Sequence, residues 1–149
     1  MATLFNDPNK GHVVSKMANE QLNSGFGQVL GLNYSEISQD RVAAEFMITP
    51  VLHQPDGIVH GGVYSAVVEA LASVGGSEWY GSKGRVVGVN NNTDFLRQVS
   101  AGTLYAEATP IHRGRSQQLW SVMVMDSEGR LVAHGQVRLA NLAESMRAD

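Results

Sequence analysis

Hydrophobic and polar positions change their period several times along the chain, and each change predicts an element. Over residues 13–22 apolar side chains return loosely at three- and four-residue spacing, which predicts a helix that Asn23-Ser24-Gly25 stops. A short amphipathic turn is expected around Phe26, Val29 and Leu30. Residues 32–37 and 41–48 read as hairpin arms about a turn at Ser38-Gln39-Asp40. In the second arm Val42, Ala44, Phe46 and Ile48 alternate with Arg41, Ala43, Glu45 and Met47, as one buried strand face requires. Residues 61–76 differ: the run lacks proline, is bracketed by glycine pairs, and sets Val63, Val67, Ala70, Leu71 and Val74 in one helical stripe. Its other side is small and polar, with Ser65, Glu69 and Ser73, so this nearly uncharged helix is expected to lie buried inside the domain. Four strand-like runs follow, at 86–96, 104–112, 118–126 and 130–139, the last two joined by an Asp126-Ser127-Glu128-Gly129 turn. Helix, two strands, buried helix and four strands make an α+β domain, an antiparallel sheet with the helix against one face.

Composition narrows the possibilities. The chain has 149 residues, one domain's worth, and 43% hydrophobic against 17% charged residues is too apolar for a disordered chain. A net charge of −3 argues against a nucleic-acid partner, which normally meets a basic face. With no cysteine, disulfides, thiolate-held zinc, iron–sulfur clusters and a Cys nucleophile are excluded, and a cytoplasmic protein is expected. Residues 1–10 carry no basic cluster followed by an apolar stretch, so no secretory signal is expected. The most apolar stretch, 63–74, is interrupted by Glu69 and falls short of the roughly 20 residues a bilayer span needs. The five histidines show no i, i+4 pair, and no metal or other cofactor is expected; His12 and His134 read as surface or satisfied core residues.

The densest chemistry lies at 53–62 (HQPDGIVHGG), which runs into the buried helix. Pro55 and Gly57 impose a turn, and the Gly61-Gly62 pair lets a ligand approach the backbone. The first amides of a helix have no internal partners and sit at its positive end, so they can hold a carbonyl oxygen that is becoming an anion. The alternative is a loop that merely enters a helix at close packing. Glu69 is the lone acid between Asp56 and Glu78. A buried carboxylate is costly unless paired, which points to a nucleophile or general base over a structural acid. Ser73, four residues on, either hydrogen-bonds Glu69 or an attacking water, or simply packs the helix. Gly62 and Glu69 stand seven residues apart, about 10 Å along one helix, too far to serve one carbonyl. Two antiparallel copies of the helix about a two-fold axis would set Gly62 of one subunit against Glu69 of the other, which predicts an obligate homodimer with two interfacial sites.

These residues resemble the hotdog-fold acyl-CoA thioesterases, and more closely their phenylacetate-type (PaaI-like) branch, which includes hydroxybenzoyl-CoA and dihydroxynaphthoyl-CoA thioesterases. The resemblance rests on Gln54-Pro55-x-Gly57-x-x-His60-Gly61-Gly62 followed by Glu69, on Val86-Val87-Gly88-Val89-Asn90-x-Asn92, and on Ile111-His112-x-Gly114-x-Ser116, and covers about residues 30–142. It implies the hotdog fold, an antiparallel sheet wrapped around a long central helix, and a homodimer that associates further into tetramers. It implies Glu69 as the catalytic carboxylate, a Gly62 N–H that polarises the thioester carbonyl, Gln54 beside that carbonyl or the water, His60 as a positioning group, and Ser73 as the hydroxyl one turn after the acid. Glu rather than Asp at 69 is similar to the aryl-CoA type, while Phe95 stands where a dihydroxynaphthoyl-type relative carries histidine. For coenzyme A the candidates are Arg113, Gly114, Arg115 and Ser116, a turn whose arginines suit phosphates, or else a solvated charged turn. Arg97 and Asn90 are further candidates, Asn90-Asn91-Asn92 being unusual in a strand. The rival expectations are a hotdog dehydratase or hydratase and a catalytically silent acyl-CoA-binding module.

Overall fold

A computed structural model of the chain describes residues 12–144; the reading of residues 1–10 lies outside them. In order, the elements are β1 (His12–Val13), α1 (Lys16–Leu22), α2 (Phe26–Leu30), β2 (Asn33–Ile37), β3 (Val42–Met47), a 3-10 turn (Pro50–Leu52), α3 (Gly61–Tyr80), a second 3-10 turn (Gly81–Lys83), β4 (Gly84–Phe95), β5 (Thr103–Arg113), β6 (Gln117–Met125) and β7 (Leu131–Ala143). The strands form one seven-stranded antiparallel sheet in the order β1-β2-β3-β5-β6-β7-β4. The expected hotdog architecture is the one observed, with α3 packed against the sheet. Its stripe of Val63, Val67, Val68 and Leu71 is buried against Leu104, Trp120, Val122, Val137 and Leu139. Apolar burial on this scale is the main term holding helix to sheet.

Four local departures from the expected pattern have physical causes. First, α1 begins at Lys16, later than the apolar spacing suggests, because Val13 pairs with Glu36 in the sheet and the Ser15 hydroxyl caps the helix by accepting from the Ala18 N–H at 3.1 Å. Second, α3 continues through the Gly75-Gly76 pair to Tyr80. A Cβ on Gly75 would stand 2.7 Å from the Trp120 ring, and one on Gly76 2.3 Å from Leu139, so these glycines mark close approach of helix to sheet, not a stop. Gln118, wholly buried, fixes the same spot: its amide donates to the Gly76 carbonyl at 3.2 Å and to Asn141 Oδ1 at 2.7 Å while accepting from Trp120 Nε1 at 2.8 Å. Third, Ala43 is buried although the alternation puts it on the outer face. It lies in register between Glu36 and Glu107, whose carboxylates both bond Arg41, the latter at 2.8 Å, so an ion cluster covers it. Burial works against the Arg41 charge, but the bond and charge of Glu107, with those of Glu36, hold its pKa above the usual value.

The fourth departure bears on function. Helix α3 is not buried all round: Gly62, Glu69, Ser77 and Glu78 are exposed. The reason is the position of β4, bonded to β7 on one side and, among the described residues, to no strand on the other, whose Val87, Val89 and Phe95 are exposed. Sheet therefore covers one side of α3 and ends at β4.

Two tyrosines make stability sensitive to alkali. Tyr34 and Tyr64 are 4% and 2% exposed, and burial pushes both hydroxyls up to about 12. In the unfolded chain they ionise near 10.0, so the folded state holds these protons more tightly, and stability is fully present below pH 10 and lost as pH rises through about 12. Denaturant melts from pH 8 upward are expected to give a flat midpoint to about pH 10 and then a fall, each tyrosine contributing up to about tenfold in the unfolding constant per pH unit. A midpoint insensitive to pH across that window would contradict this.

Candidate active site

The loop before α3 is tied from both sides. Gln54-Pro55-Asp56-Gly57 closes as a turn, the Gly57 N–H donating to the Gln54 carbonyl at 3.0 Å, with Gly57 at φ 76, a conformation glycine adopts without strain. The Val59 N–H donates to the Val99 carbonyl and the His60 N–H to the Leu52 carbonyl, both at 2.9 Å, and His53 Nε2 lies 2.8 Å from the Ser100 carbonyl oxygen. This fixes His60 as the N-cap of α3. Its Nδ1 accepts the Gly62 N–H at 2.8 Å. The imidazole thus holds the backbone donor that the sequence reading assigns to a substrate oxygen.

Beside the helix start opens a cleft of about 380 Å³ whose lining includes Gln54, Gly61, Tyr64, Phe95 and Arg97. The exposed Phe95 ring is seated on Gly61, where a Cβ would stand 2.3 Å from it, and its centroid is 6.0 Å from that of Tyr64. Thus Gln54, Arg97 and Phe95, three of the residues singled out from sequence, meet at one cleft. A second groove, of about 300 Å³, lies on the Gly62 side, lined by Phe26, Val29, Val51, His60 and Val63 among others.

Glu69 lies farther along α3, at the β4 edge. The desolvation expected of it from sequence is not present in the single chain, where Glu69 is exposed because its side of α3 looks past β4. Its carboxylate rests over Gly88, where a Cβ would come within 2.9 Å of Oε1. At this point the β4–β7 register shifts, between Gly88 and Asn90. Such a bulge re-aims the strand locally. Ser73 is half-buried and lines a groove of about 360 Å³ with Leu22, Ile37, Val74, Ser77 and Glu78. Gly62 and Glu69 share one helix with about 10 Å of rise between them, so within a single chain the two cannot both reach one carbonyl.

The turn at 113–116 lies at the other end of α3 from Gly62. Arg113 Nη1 donates to the Gln39 carbonyl at 2.7 Å and lies 3.0 Å from Asp40 Oδ1, with the guanidinium 5.6 Å from the Trp79 ring centre. Its charge is therefore engaged within the chain. The Gly114 carbonyl accepts from Asn141 Nδ2 at 2.9 Å and the Ser116 carbonyl from the Asn141 N–H at 2.9 Å, which shapes the turn and leaves Arg115 exposed. On β4, Asn91 rather than Asn90 reaches α3: its Nδ2 donates to the Ser65 carbonyl at 2.8 Å. Asn91 is opposite buried Val137, whereas Asn90 is opposite exposed Arg138 and shares that outer face. His134 is satisfied by Ser121, 2.8 Å away. Tyr64 was missed by sequence reasoning; the signal available was a polar tip on the apolar phase of α3. Among the described residues no group of three or more His, Asp or Glu could hold a metal ion, and no helix is long and apolar enough to cross a membrane.

Comparison with known proteins extends this picture. A family model described as the thioesterase superfamily matches residues 56–133. A Mycobacterium tuberculosis protein named as an esterase, Rv1847, is 50% identical over 120 residues, which is 78% of this chain and 86% of that one. Its solved structure superposes with a TM-score of 0.78, covering 79% of this chain and 96% of that chain. The proofreading thioesterase EntH of Klebsiella pneumoniae is 36% identical over 101 residues, 68% of this chain and 74% of that protein. A Haemophilus influenzae thioesterase, HI1161, superposes at TM-score 0.84 with 28% identity, covering 94% and 98% of the two chains.

Proposed function

The chain belongs to the thioesterase superfamily and is a thioester hydrolase, and from that premise we propose that it cleaves an aromatic acyl-CoA with water to the free acid and coenzyme A, in the manner of the phenylacetate-type branch. The observation that carries this reading is the division of the machinery along α3, with a capped backbone donor at Gly62 and a carboxylate at Glu69 beside an open strand edge. A second copy related by a two-fold axis pairs β4 with β4 and brings Gly62 of one subunit to Glu69 of the other. This pairing also gives the unpaired β4 edge a partner, which long exposed edges otherwise lack. Two such dimers then form the tetramer common to this fold.

In each composite site the thioester oxygen takes the Gly62 N–H as the His60 ring yields it, and Gln54 orients the carbonyl or the water. Glu69 either attacks the carbonyl carbon, giving an anhydride that water opens, or removes a proton from the attacking water. Both routes pass through an oxyanion at Gly62, whose donor is worth about 3–4 kcal/mol of barrier on the scale of such groups. The intermediate collapses by expelling the thiolate of coenzyme A. Ser73 holds the water or the Glu69 carboxylate from one turn away. The same two-fold carries the Trp79 end of one helix, with Arg115 and Ser116, towards the loop bearing Gln54 on the other, and there Arg115 meets the phosphates of coenzyme A. The reaction needs no other cofactor, and the absence of cysteine suits the cytoplasm.

The test is free-thiol release from a panel of aryl, short-chain and long-chain acyl-CoAs. Fastest release from the aryl members is expected. Binding of these esters with no release would reassign the chain as a silent acyl-CoA-binding module. Consumption of unsaturated esters without thiol would make it a hydratase.

A further inference from the structure

The Tyr64 hydroxyl is buried and has no hydrogen-bond partner among the described residues. Leaving such a group unpaired costs on the order of 1–3 kcal/mol, and folded chains rarely keep one where phenylalanine would serve. Tyr64 stands in the first turn of α3, two residues from Gly62, and forms part of the cleft that also holds Gln54, Phe95 and Arg97. The groove on the other side of the helix start, with Phe26, Val29, Val51 and Val63, offers a ligand no comparable unpaired hydroxyl. Of the two openings that flank the Gly62 donor, the polar one is therefore the side built to discriminate.

We propose, resting on the acyl-CoA reading above, that the acyl group enters the Tyr64 cleft and that the Tyr64 hydroxyl is a specificity-determining donor to an oxygen substituent carried by that acyl group beyond the thioester carbonyl. The class of substrate selected is an oxygenated acyl-CoA, hydroxy or oxo, over its unsubstituted counterpart. Phe95, 55% exposed and resting on Gly61, supplies the adjacent wall and is the ring that turns aside to open the hydroxyl. Burial keeps this phenol protonated to about pH 12, so its role as a donor does not change across the physiological range. Selectivity carried by Tyr64 is accordingly flat from pH 6 to 9, as selectivity carried by a histidine would not be.

Tyr64→Phe removes one oxygen and keeps the ring. Because the lost hydroxyl had no partner, the variant is expected to melt at or above the native temperature. The measurement is kcat/KM for matched pairs that differ by one oxygen: 4-hydroxybenzoyl-CoA against benzoyl-CoA, 3-hydroxybenzoyl-CoA against benzoyl-CoA, and 3-hydroxybutyryl-CoA against butyryl-CoA. The native protein is expected to favour the oxygenated member of at least one pair by about tenfold or more, and Tyr64→Phe to bring that ratio close to one. A ratio unchanged by Tyr64→Phe, or no preference in any pair, overturns the proposal. Should the native protein cleave none of these esters, the acyl-CoA reading fails separately. Calorimetric binding of the corresponding free acids then decides Tyr64: a preference for the oxygenated acid that Tyr64→Phe abolishes supports it, and equal binding by the native protein overturns it.

Discussion

Glu69→Gln is expected to lower kcat by about 10³-fold or more while leaving the melting temperature unchanged. General-base catalysis by a positioned side chain contributes typically about 10²–10⁴-fold, and a covalent route depends on the carboxylate entirely. Glutamine keeps the size and a hydrogen-bonding tip but neither attacks a thioester nor takes a proton from water. The fold loses little, because Glu69 is exposed on α3 and substitutions at such places usually change stability by less than about 0.5 kcal/mol. Steady-state kinetics and a thermal melt check both halves. A variant that retains more than a tenth of native turnover would remove Glu69 from the mechanism. A single turnover of native protein in isotopically labelled water then separates the two routes, since label appears in the Glu69 carboxylate only when that group is the nucleophile.

Gly88→Ala tests the placement of that carboxylate without touching it. The added Cβ would lie 2.9 Å from Glu69 Oε1 and 3.4 Å from its carboxyl carbon, so the flexible end of Glu69 must shift by several tenths of an ångström. Gly88 has no positive φ, so alanine is accommodated by the backbone. Displacement of a catalytic group by up to about 1 Å can cost about 10²-fold, and a 10- to 100-fold fall in kcat with little change in KM is the expected result. Sedimentation should show the same oligomer as the native protein. Native kcat in a Gly88→Ala variant of unchanged assembly would mean that the working position of Glu69 is not the one over the bulge.

The elements were legible from sequence to within a few residues wherever one periodicity dominated. Strands β4 to β7 and the start of α3 followed from alternation and from the glycine pair after His60. What failed depended on what lies opposite a residue, which periodicity does not report. Gly75-Gly76 looks the same in sequence whether it stops a helix or lets Trp120 and Leu139 come close. Glu69 looked buried because its helix is uncharged, yet the edge position of β4 leaves that side open. Arg113, readable in sequence either as a phosphate ligand or as a solvated charge, is met in the fold by Asp40 and the Gln39 carbonyl. Gln54, His60 and Phe95 were singled out from a local motif and a family resemblance, and the fold gathers them about the start of α3. Tyr64 was not, because its distinguishing property is a hydroxyl lacking a partner, and that exists only once the chain is folded.

The interval between Gly62 and Glu69 on α3 also limits how this chain can change over time. A loop absorbs the gain or loss of a residue, but a helix transmits it: one residue added within 63–68 turns everything beyond it by about 100° and advances it by about 1.5 Å. In the two-fold arrangement proposed above, each helix contributes to both sites, so a single such event would spoil both at once. Length variation is therefore expected in the connections between elements, while the spacing inside this stretch behaves as a fixed ruler that substitution can repaint but not recut.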